Sequence, residues 1–323
     1  MKIISLFLTL LFVTNNLTGQ SITERIGAST INSLHLKSDI DIQVFLPEGY
    51  DNSDQKYPVC YLLDGQWFFA HGISTEMAFT ERNGTSNTPY FIVVGISLEN
   101  SKRYGWSGEV SKLSKFLIEE LIPQVADQYR TNDERLLFGW EATAGFVVRM
   151  FFQQPDIFSG YLAASPAPMY GEYFSYLKDE YKSFSDRLDV IPSSKKYLYI
   201  GEAENDFPTN YGISKLTSLL QQNAPDDLRW IHQKMKGSSH RMTAYETIFS
   251  GISDYFQYYP VLRHNSIKHF QESGGFTSIE TYYQKRSEKY KTNQEDSIKF
   301  LNATKRNLSL TAIKENDLAA KDR

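Results

Sequence analysis

The sequence predicts an α/β fold, in which helices cover both faces of a mostly parallel central sheet. Residues 57–63 and 90–96 are continuous apolar runs of strand length, which is typical of strands buried on both faces. A helical segment separates these two runs, so we expect a parallel pair joined by a right-handed crossover. The same alternation continues along the chain. The later apolar runs occupy residues 135–138, 158–164, 196–201 and 228–235.

The chain before residue 57 predicts an antiparallel edge to this sheet. Residues 22–31 form a weak first strand. Residues 34–45 alternate apolar and polar side chains, a period of two that indicates half-buried strands, and residues 47–54 form the turn that follows.

Two helices complete the predicted domain. Residues 111–129 have helical periodicity, and Pro123 is expected to kink or end the first part of that helix because proline has no backbone N–H. Residues 244–258 form a final core helix. Both helices would pack on the sheet, as an α/β fold requires.

The overall composition is that of a globular protein with one large domain and a small appendage. The chain has 323 residues, of which 41% are hydrophobic and 22% charged. Its formal net charge of -4 is mild, so neither a nucleic acid nor an anionic membrane surface is implied as a partner.

Both ends of the chain differ from this domain in composition. Residues 1–20 combine one lysine, an apolar run too short to cross a bilayer and a polar end. They predict a secretory signal peptide, with a buried N-terminal helix as the alternative, and a secreted or periplasmic mature chain without a membrane span. The α/β domain would occupy residues 21–262. Residues 263–323 are polar and charged, and we expect one to three amphipathic helices that trail into a floppy end.

Cofactor and metal sites are not indicated by the sequence. Cys60 is the only cysteine, so no internal disulfide and no two-cysteine metal site can form. It lies within an apolar run and is predicted to be a buried core residue rather than a nucleophile. No metal-ligand spacing, dinucleotide fingerprint or phosphate loop occurs, so no metal and no cofactor is implied.

The predicted site is built around the segment RLLFGWEATAGFVVRM at residues 135–150. A short apolar strand, a turn of small residues and an apolar helix follow one another, which is the context of a nucleophile elbow. In the elbow motif G-x-S-x-G, the middle residue projects from a strained turn beside backbone N–H groups. Glu141 occupies that middle position. Thr143 stands where the second glycine belongs, so we expect a turn that is harder to form.

Several short motifs, in this order along the chain, resemble the Putative esterase family of α/β hydrolases, which includes enterobactin-type esterases. They are LPEGY at residues 46–50, YPV at 57–59, LLDG at 62–65, VVGI at 93–96, EELIP at 119–123, YRT at 129–131, LFG at 137–139 and ASP at 164–166. The resemblance covers residues 34–259 and implies an α/β-hydrolase fold and the class of carboxylic ester hydrolases. That family's elbow reads G-H-S-x-G-G. Here Gly139 matches, while Trp140 replaces the histidine and Glu141 replaces the serine, so the resemblance implies the fold but not the serine chemistry.

The catalytic partners expected of this fold are an acid after a later strand and then a histidine. Three acids follow the strand at residues 196–201, and we favour Glu204 over Glu202 and Asp206. His240 lies where the relatives place their catalytic base.

An oxyanion hole and a ligand pocket are expected at the same edge of the sheet. The backbone N–H groups of Gln66 and Ala142 would form the hole. Aromatic side chains would line the pocket if the loops at this edge converge, whereas for Phe68 and Phe69 core packing is the better interpretation. The predicted pocket residues are Trp67, Tyr104, Trp106 and Trp140.

The carboxylate at the elbow leaves three interpretations of function. We favour a secreted esterase-fold protein without ordinary serine hydrolysis, in which the helix dipole attracts Glu141, its oxygen fills the oxyanion hole and a small-molecule pocket remains. The second is an active hydrolase of esters or alkyl substrates that uses Glu141 as nucleophile or general base. The third is an interaction protein with a protein partner at the C-terminal helices.

Overall fold

The chain folds around one eight-stranded sheet, seen in a computed structural model that describes residues 21–80, 86–99, 109–166, 184–188, 196–207, 209–290 and 294–321. In chain order the strands are β1 (Ile26–Ser33), β2 (Ser38–Phe45), β3 (Tyr57–Leu63), β4 (Ile92–Ile96), β5 (Thr131–Trp140), β6 (Gly160–Ala164), β7 (Tyr197–Ala203) and β8 (Arg229–Met235). Across the sheet they are ordered β1-β2-β4-β3-β5-β6-β7-β8.

Strand direction divides the sheet into an antiparallel edge and a parallel body. β1 pairs antiparallel with β2, and β2 pairs antiparallel with β4. β3 pairs parallel with both β4 and β5, and β5 through β8 continue in parallel. The predicted edge and the predicted parallel sheet are both confirmed, although the first predicted strand begins with a short 3-10 turn at Ile22–Arg25.

Helices cover both faces of the sheet, as predicted. The helices of this part are α1 (Gly65–Phe79), α2 (Glu109–Lys115), α3 (Ile122–Gln128), α4 (Ala142–Gln153), α5 (Thr209–Asn223) and α6 (Met242–Tyr255). Phe68 of α1 and Ile248 of α6 belong to the core on one face, and α2 to α5 supply the core on the other. Cys60 lies in the first of these cores, and burial raises the pKa of its thiol to about 12, as expected of a core residue.

The predicted kink at Pro123 takes the form of a π-helical turn, Phe116–Leu121, between α2 and α3. Ile122 N–H donates to the carbonyl oxygen of Leu117, five residues earlier. Because proline cannot donate, a wider turn just before it absorbs the missing bond and the helix continues.

Two glycines set how closely helices approach the carboxyl edge of the sheet. A Cβ atom on Gly65 would lie 2.5 Å from the backbone nitrogen of Ile96. A Cβ atom on Gly139 would lie 2.4 Å from the carbonyl oxygen of Thr143. Only glycine allows these contacts, so α1 and α4 both start directly against their strands.

Among its described residues, the C-terminal extension contains three helices: α7 (Ile267–Glu272), α8 (Gly275–Tyr290) and α9 (Gln294–Lys321). Phe270, Ile279 and Tyr283 form a small core of their own between these helices. The helical prediction is confirmed, but the expected floppy end is not found as far as Lys321, because α9 is a continuous helix of 28 residues.

Helix α8 fastens the extension to the end of α6. Tyr282 Oη donates to the carbonyl oxygen of Pro260 at 2.7 Å, and Arg286 donates to that of Tyr258 at 3.0 Å. Lys289 donates to the carbonyl oxygen of Tyr255 and lies 3.6 Å from the centroid of its ring. Burial lowers the pKa of Lys289 to about 8, while the nearby Glu134 carboxylate opposes that shift. The extension is therefore packed on the α/β domain.

Within the described ranges, no helix combines the length and the apolar character needed to traverse a lipid bilayer. The predicted signal peptide at residues 1–20 lies outside the described residues.

Candidate active site

Glu141 lies at a strained corner between β5 and α4. Its backbone has φ 54° and ψ -111°, a combination that residues other than glycine avoid. Glu141 N–H donates to the carbonyl oxygen of Ala164 at 2.9 Å, and Gly145 N–H donates to the Glu141 carbonyl oxygen at 3.0 Å. The corner has the geometry of a nucleophile elbow, with a carboxylate side chain at its tip.

Thr143 does not obstruct this turn, contrary to the expectation from the sequence. The close approach in the turn falls on Gly139, and the Thr143 side chain is buried beside it. Trp140 N–H donates to the Thr143 hydroxyl at 3.0 Å, and that hydroxyl donates to the buried Asp64 carboxylate at 2.8 Å. Thr143 thus joins the elbow to the start of α1.

The two predicted oxyanion donors lie at neighbouring helix starts. Ala142 is the first residue of α4 and Gln66 is the second residue of α1, so their N–H groups are among the first four of a helix, which have no intrahelical acceptor. β3 and β5 are adjacent, with Leu62 paired to Phe138, so both helices start at the same edge. The Gln66 side chain is bound to the main chain of Leu98, so a contribution to an anion site would come from its backbone N–H.

The acid that contacts His240 is Asp206 and not Glu204. His240 Nδ1 lies 2.6 Å from Asp206 Oδ1; Asp206 is buried, whereas the His240 side chain is 37% exposed. Glu204 points away and accepts a hydrogen bond from Gly237 N–H at 2.9 Å. Glu202 is also used elsewhere, since it pairs with His232 at 2.7 Å and with a lysine on β8. The preference for Glu204 is therefore corrected to Asp206, one of its two alternatives.

Asp206 is held by a network that the sequence did not reveal. Ser165 Oγ donates to Asp206 Oδ2 at 2.5 Å, and Ala203 N–H donates to the same oxygen at 3.1 Å. Burial by itself would raise the pKa of Asp206, but the hydrogen bonds from His240, Ser165 and Ala203, with the attraction of His240, outweigh it and hold the pKa below its usual value. Ser165 is itself fully buried and serves as a support for Asp206.

Trp140 joins the His240 loop to the elbow. Its indole Nε1 donates to the His240 carbonyl oxygen at 3.0 Å, and the two ring centroids are 5.1 Å apart. Since Trp140 directly precedes Glu141, this contact brings the His240–Asp206 pair to the elbow.

Two of the four predicted pocket aromatics lie together at this place. The rings of Trp67 and Trp140 are 6.1 Å apart and nearly perpendicular. Trp140 is buried and Trp67 half-buried. Phe68 is fully buried behind them, as expected of a core residue. Tyr104 and Trp106 lie outside the described residues.

The site also includes Arg241, a residue that belongs to none of the predicted motifs. Its guanidinium carbon lies 5.4 Å from the Trp67 ring centroid and 5.9 Å from that of Trp140. The arrangement thus combines a carboxylate directly before α4, a His–Asp pair, an aromatic wall and one cation. In the described part of the chain, no group of three or more His, Cys, Asp or Glu side chains could hold a metal ion.

The fold and this elbow define an α/β hydrolase. The sequence profile of the family described as Putative esterase matches residues 33–262, and the chain belongs to that family.

Solved structures of low sequence identity share this fold. An IroE-like serine hydrolase from Shewanella oneidensis matches with a TM-score of 0.66 and 20% identity over 87% of this chain and 99% of that one. An uncharacterised protein from Capnocytophaga ochracea matches with a TM-score of 0.67 and 17% identity, over 87% and 80%. The enterobactin esterase FES from Shigella flexneri gives 0.58 and 15%, over 74% and 61%. No curated protein matches this chain in sequence.

Proposed function

We propose that this protein is a secreted member of the esterase family that binds a small-molecule ligand at the elbow and lacks ordinary serine-esterase activity. The observation that carries the proposal is the corner itself, which presents the Glu141 carboxylate at φ 54° and ψ -111°. A carboxylate attacks an ester poorly, because the product is an anhydride at least as reactive as the substrate.

The surroundings of Glu141 suit an anchored anion better than an attacking one. The side chain belongs to the residue that precedes α4, where the helix dipole favours negative charge, although it makes no capping hydrogen bond to the first turn of that helix. A carboxylate oxygen in the oxyanion hole would block donors that contribute roughly 3–4 kcal/mol to acyl-transfer catalysis. Ligand binding beside Trp67 and His240 does not need those donors.

The contacts of the C-terminal extension favour a structural role for it over the binding of a protein partner. Phe270, Ile279 and Tyr283 are used in its own core, and Arg286 and Lys289 attach it to the α/β domain. We therefore place the proposed function at the elbow.

One observation favours a second candidate, a slow hydrolase that activates water. His240 is oriented by Asp206 through Nδ1, so its other ring nitrogen is available for a water molecule or a ligand. Such a pair, with Glu141 as general base, would hydrolyse esters without a covalent intermediate.

Kinetic and labelling experiments on the mature chain distinguish these candidates. The proposal predicts no turnover of p-nitrophenyl acetate or butyrate and no labelling by a fluorophosphonate probe. Slow turnover that is lost in both Glu141→Gln and His240→Ala would support the water-activating hydrolase instead. Turnover of alkyl halides or epoxides, with oxygen from labelled water entering Glu141, would support a covalent role. Ester hydrolysis at rates typical of serine esterases, dependent on Glu141, would refute the proposal.

A further inference from the structure

Arg241 is an exposed cation at the elbow site. It directly follows His240 and is the N-cap of α6. Its guanidinium lies near the rings of Trp67 and Trp140, and among the described residues it forms no ion pair and no hydrogen bond. A guanidinium carries five N–H donors in a planar fork, and within the described part of the chain none of them has an acceptor.

Other arginines of the same domain are engaged by the protein. Arg229 pairs with the Asp254 carboxylate, and Arg130 donates to the carbonyl oxygen of Tyr50 and stacks on its ring at 3.8 Å. Arg25 contacts the carbonyl oxygen of Leu46 at 3.5 Å. The described residues give Arg241 no comparable ion pair or hydrogen bond, and place the two indole rings beside it.

The charges of the site would orient a bound ligand. Glu141 follows Trp140 in the chain, and Arg241 lies on the face of Trp140 and Trp67. A carboxylate on a ligand is repelled by Glu141 and attracted by Arg241, whose fork matches the two carboxylate oxygens. The indole rings suit the flat, apolar part of the same ligand.

We propose that the elbow site selects planar ligands that carry a carboxylate, and that Arg241 is the residue that determines this specificity. The proposal rests on the proposed function, because it names the class of ligand that the elbow site would bind. Arg241 is a binding and specificity residue here, and no bond is made or broken.

Benzoate and benzamide test this proposal because they have nearly the same shape and differ in charge. Calorimetry should show that the wild-type protein binds benzoate about tenfold to a hundredfold more tightly than benzamide, the range for a hydrogen-bonded charge pair. Arg241→Gln should remove that preference, and Arg241→Lys should keep part of it. Arg263→Gln is the matched control, since Arg263 is also exposed but lies outside the site, and it should keep the full preference. Glu141→Gln should raise the affinity for benzoate if the ligand lies at the elbow.

The possible outcomes separate the two proposals. Equal binding of benzoate and benzamide by the wild-type protein would overturn the role of Arg241 while the ligand site stands. An equal loss of preference in Arg263→Gln would also overturn it, since general surface charge would then be the cause. Binding of neither probe would overturn the ligand site proposed for the elbow, and the specificity with it.

Discussion

Replacing Glu141 by serine should create esterase activity in this protein. The corner already holds a side chain at φ 54° and ψ -111°, so serine needs no change of the backbone. The His240–Asp206 pair, which Trp140 links to the corner, would serve as its general base. Thr143 should be kept, because its hydroxyl is bonded to Trp140 N–H and to Asp64.

The size of the expected gain follows from what the substitution restores. Loss of the nucleophile from a serine hydrolase costs about 10⁶ in kcat, which is the ceiling for a gain here. Serine also leaves the predicted oxyanion donors at the starts of α1 and α4 open to a substrate, and one such donor is worth roughly 10²–10³. We therefore expect Glu141→Ser to raise kcat/KM at least about a hundredfold.

The assay is hydrolysis of p-nitrophenyl butyrate, together with labelling by a fluorophosphonate probe. Glu141→Ala is the first control, because it removes the carboxylate without adding a hydroxyl and should remain slow. Glu141→Ser combined with His240→Ala is the second and should lose most of the gain. A folded Glu141→Ser protein that is neither labelled nor faster than Glu141→Ala would show that His240 does not serve position 141.

The remaining predictions concern stability and are measured by urea unfolding. The pKa of Asp206 is depressed in the folded protein, so its carboxylate adds to the free energy of unfolding above the ordinary carboxyl pKa of about 3.9, and this stabilisation is lost as the pH falls through the folded pKa. Asp206→Asn should therefore flatten the loss of stability below pH ~4. An unchanged acid limb would contradict this. Burial raises the pKa of the α1 residue Glu76 to about 8, and Arg25 opposes this only partly. The stability that the protonated side chain contributes is fully present below its ordinary pKa and is lost as the pH rises toward 8. Glu76→Gln should remove that decline in the free energy of unfolding. Equal declines in both proteins between pH ~5 and ~8 would refute it. Thr143→Val should cost about 1–3 kcal/mol, because it leaves Asp64 and Trp140 N–H without their shared hydroxyl, while Thr143→Ser should cost less; equal costs would exclude the hydroxyl as the cause.

The strands of the parallel body could be predicted from the sequence because burial on both faces leaves continuous apolar runs. The run at residues 57–63 coincides with β3, Tyr57–Leu63. The sequence predicts β5 only at residues 135–138, but the strand spans Thr131–Trp140, since its first half is partly exposed and polar and is defined by pairing with β3. Such pairing joins distant parts of the chain and leaves no local pattern.

The site could be predicted where it depends on neighbouring residues and not where it depends on tertiary contacts. The elbow at Glu141 is a strand, a turn and a helix in succession, so it can be recognised locally. Glu202, Glu204 and Asp206 lie within five positions, and the choice among them is made by Ser165, which follows β6, and by His240 before α6. Arg241 belongs to no motif and is placed only by the rings it contacts.

The strain at Glu141 itself bears on whether the elbow still has a function. A side chain at φ 54° and ψ -111° costs on the order of 1–3 kcal/mol, and glycine would relieve this at the expense of roughly 0.5–1 kcal/mol of chain entropy. Glu141→Gly should therefore raise the free energy of unfolding by about 1 kcal/mol, whereas Glu141→Ala, which keeps the strain, should not. If both substitutions gave the same stability, the corner would not be strained. If the protein is more stable with glycine at position 141, folding alone disfavours the carboxylate there. A ligand site requires such a residue in spite of its cost to stability, whereas a purely structural turn does not.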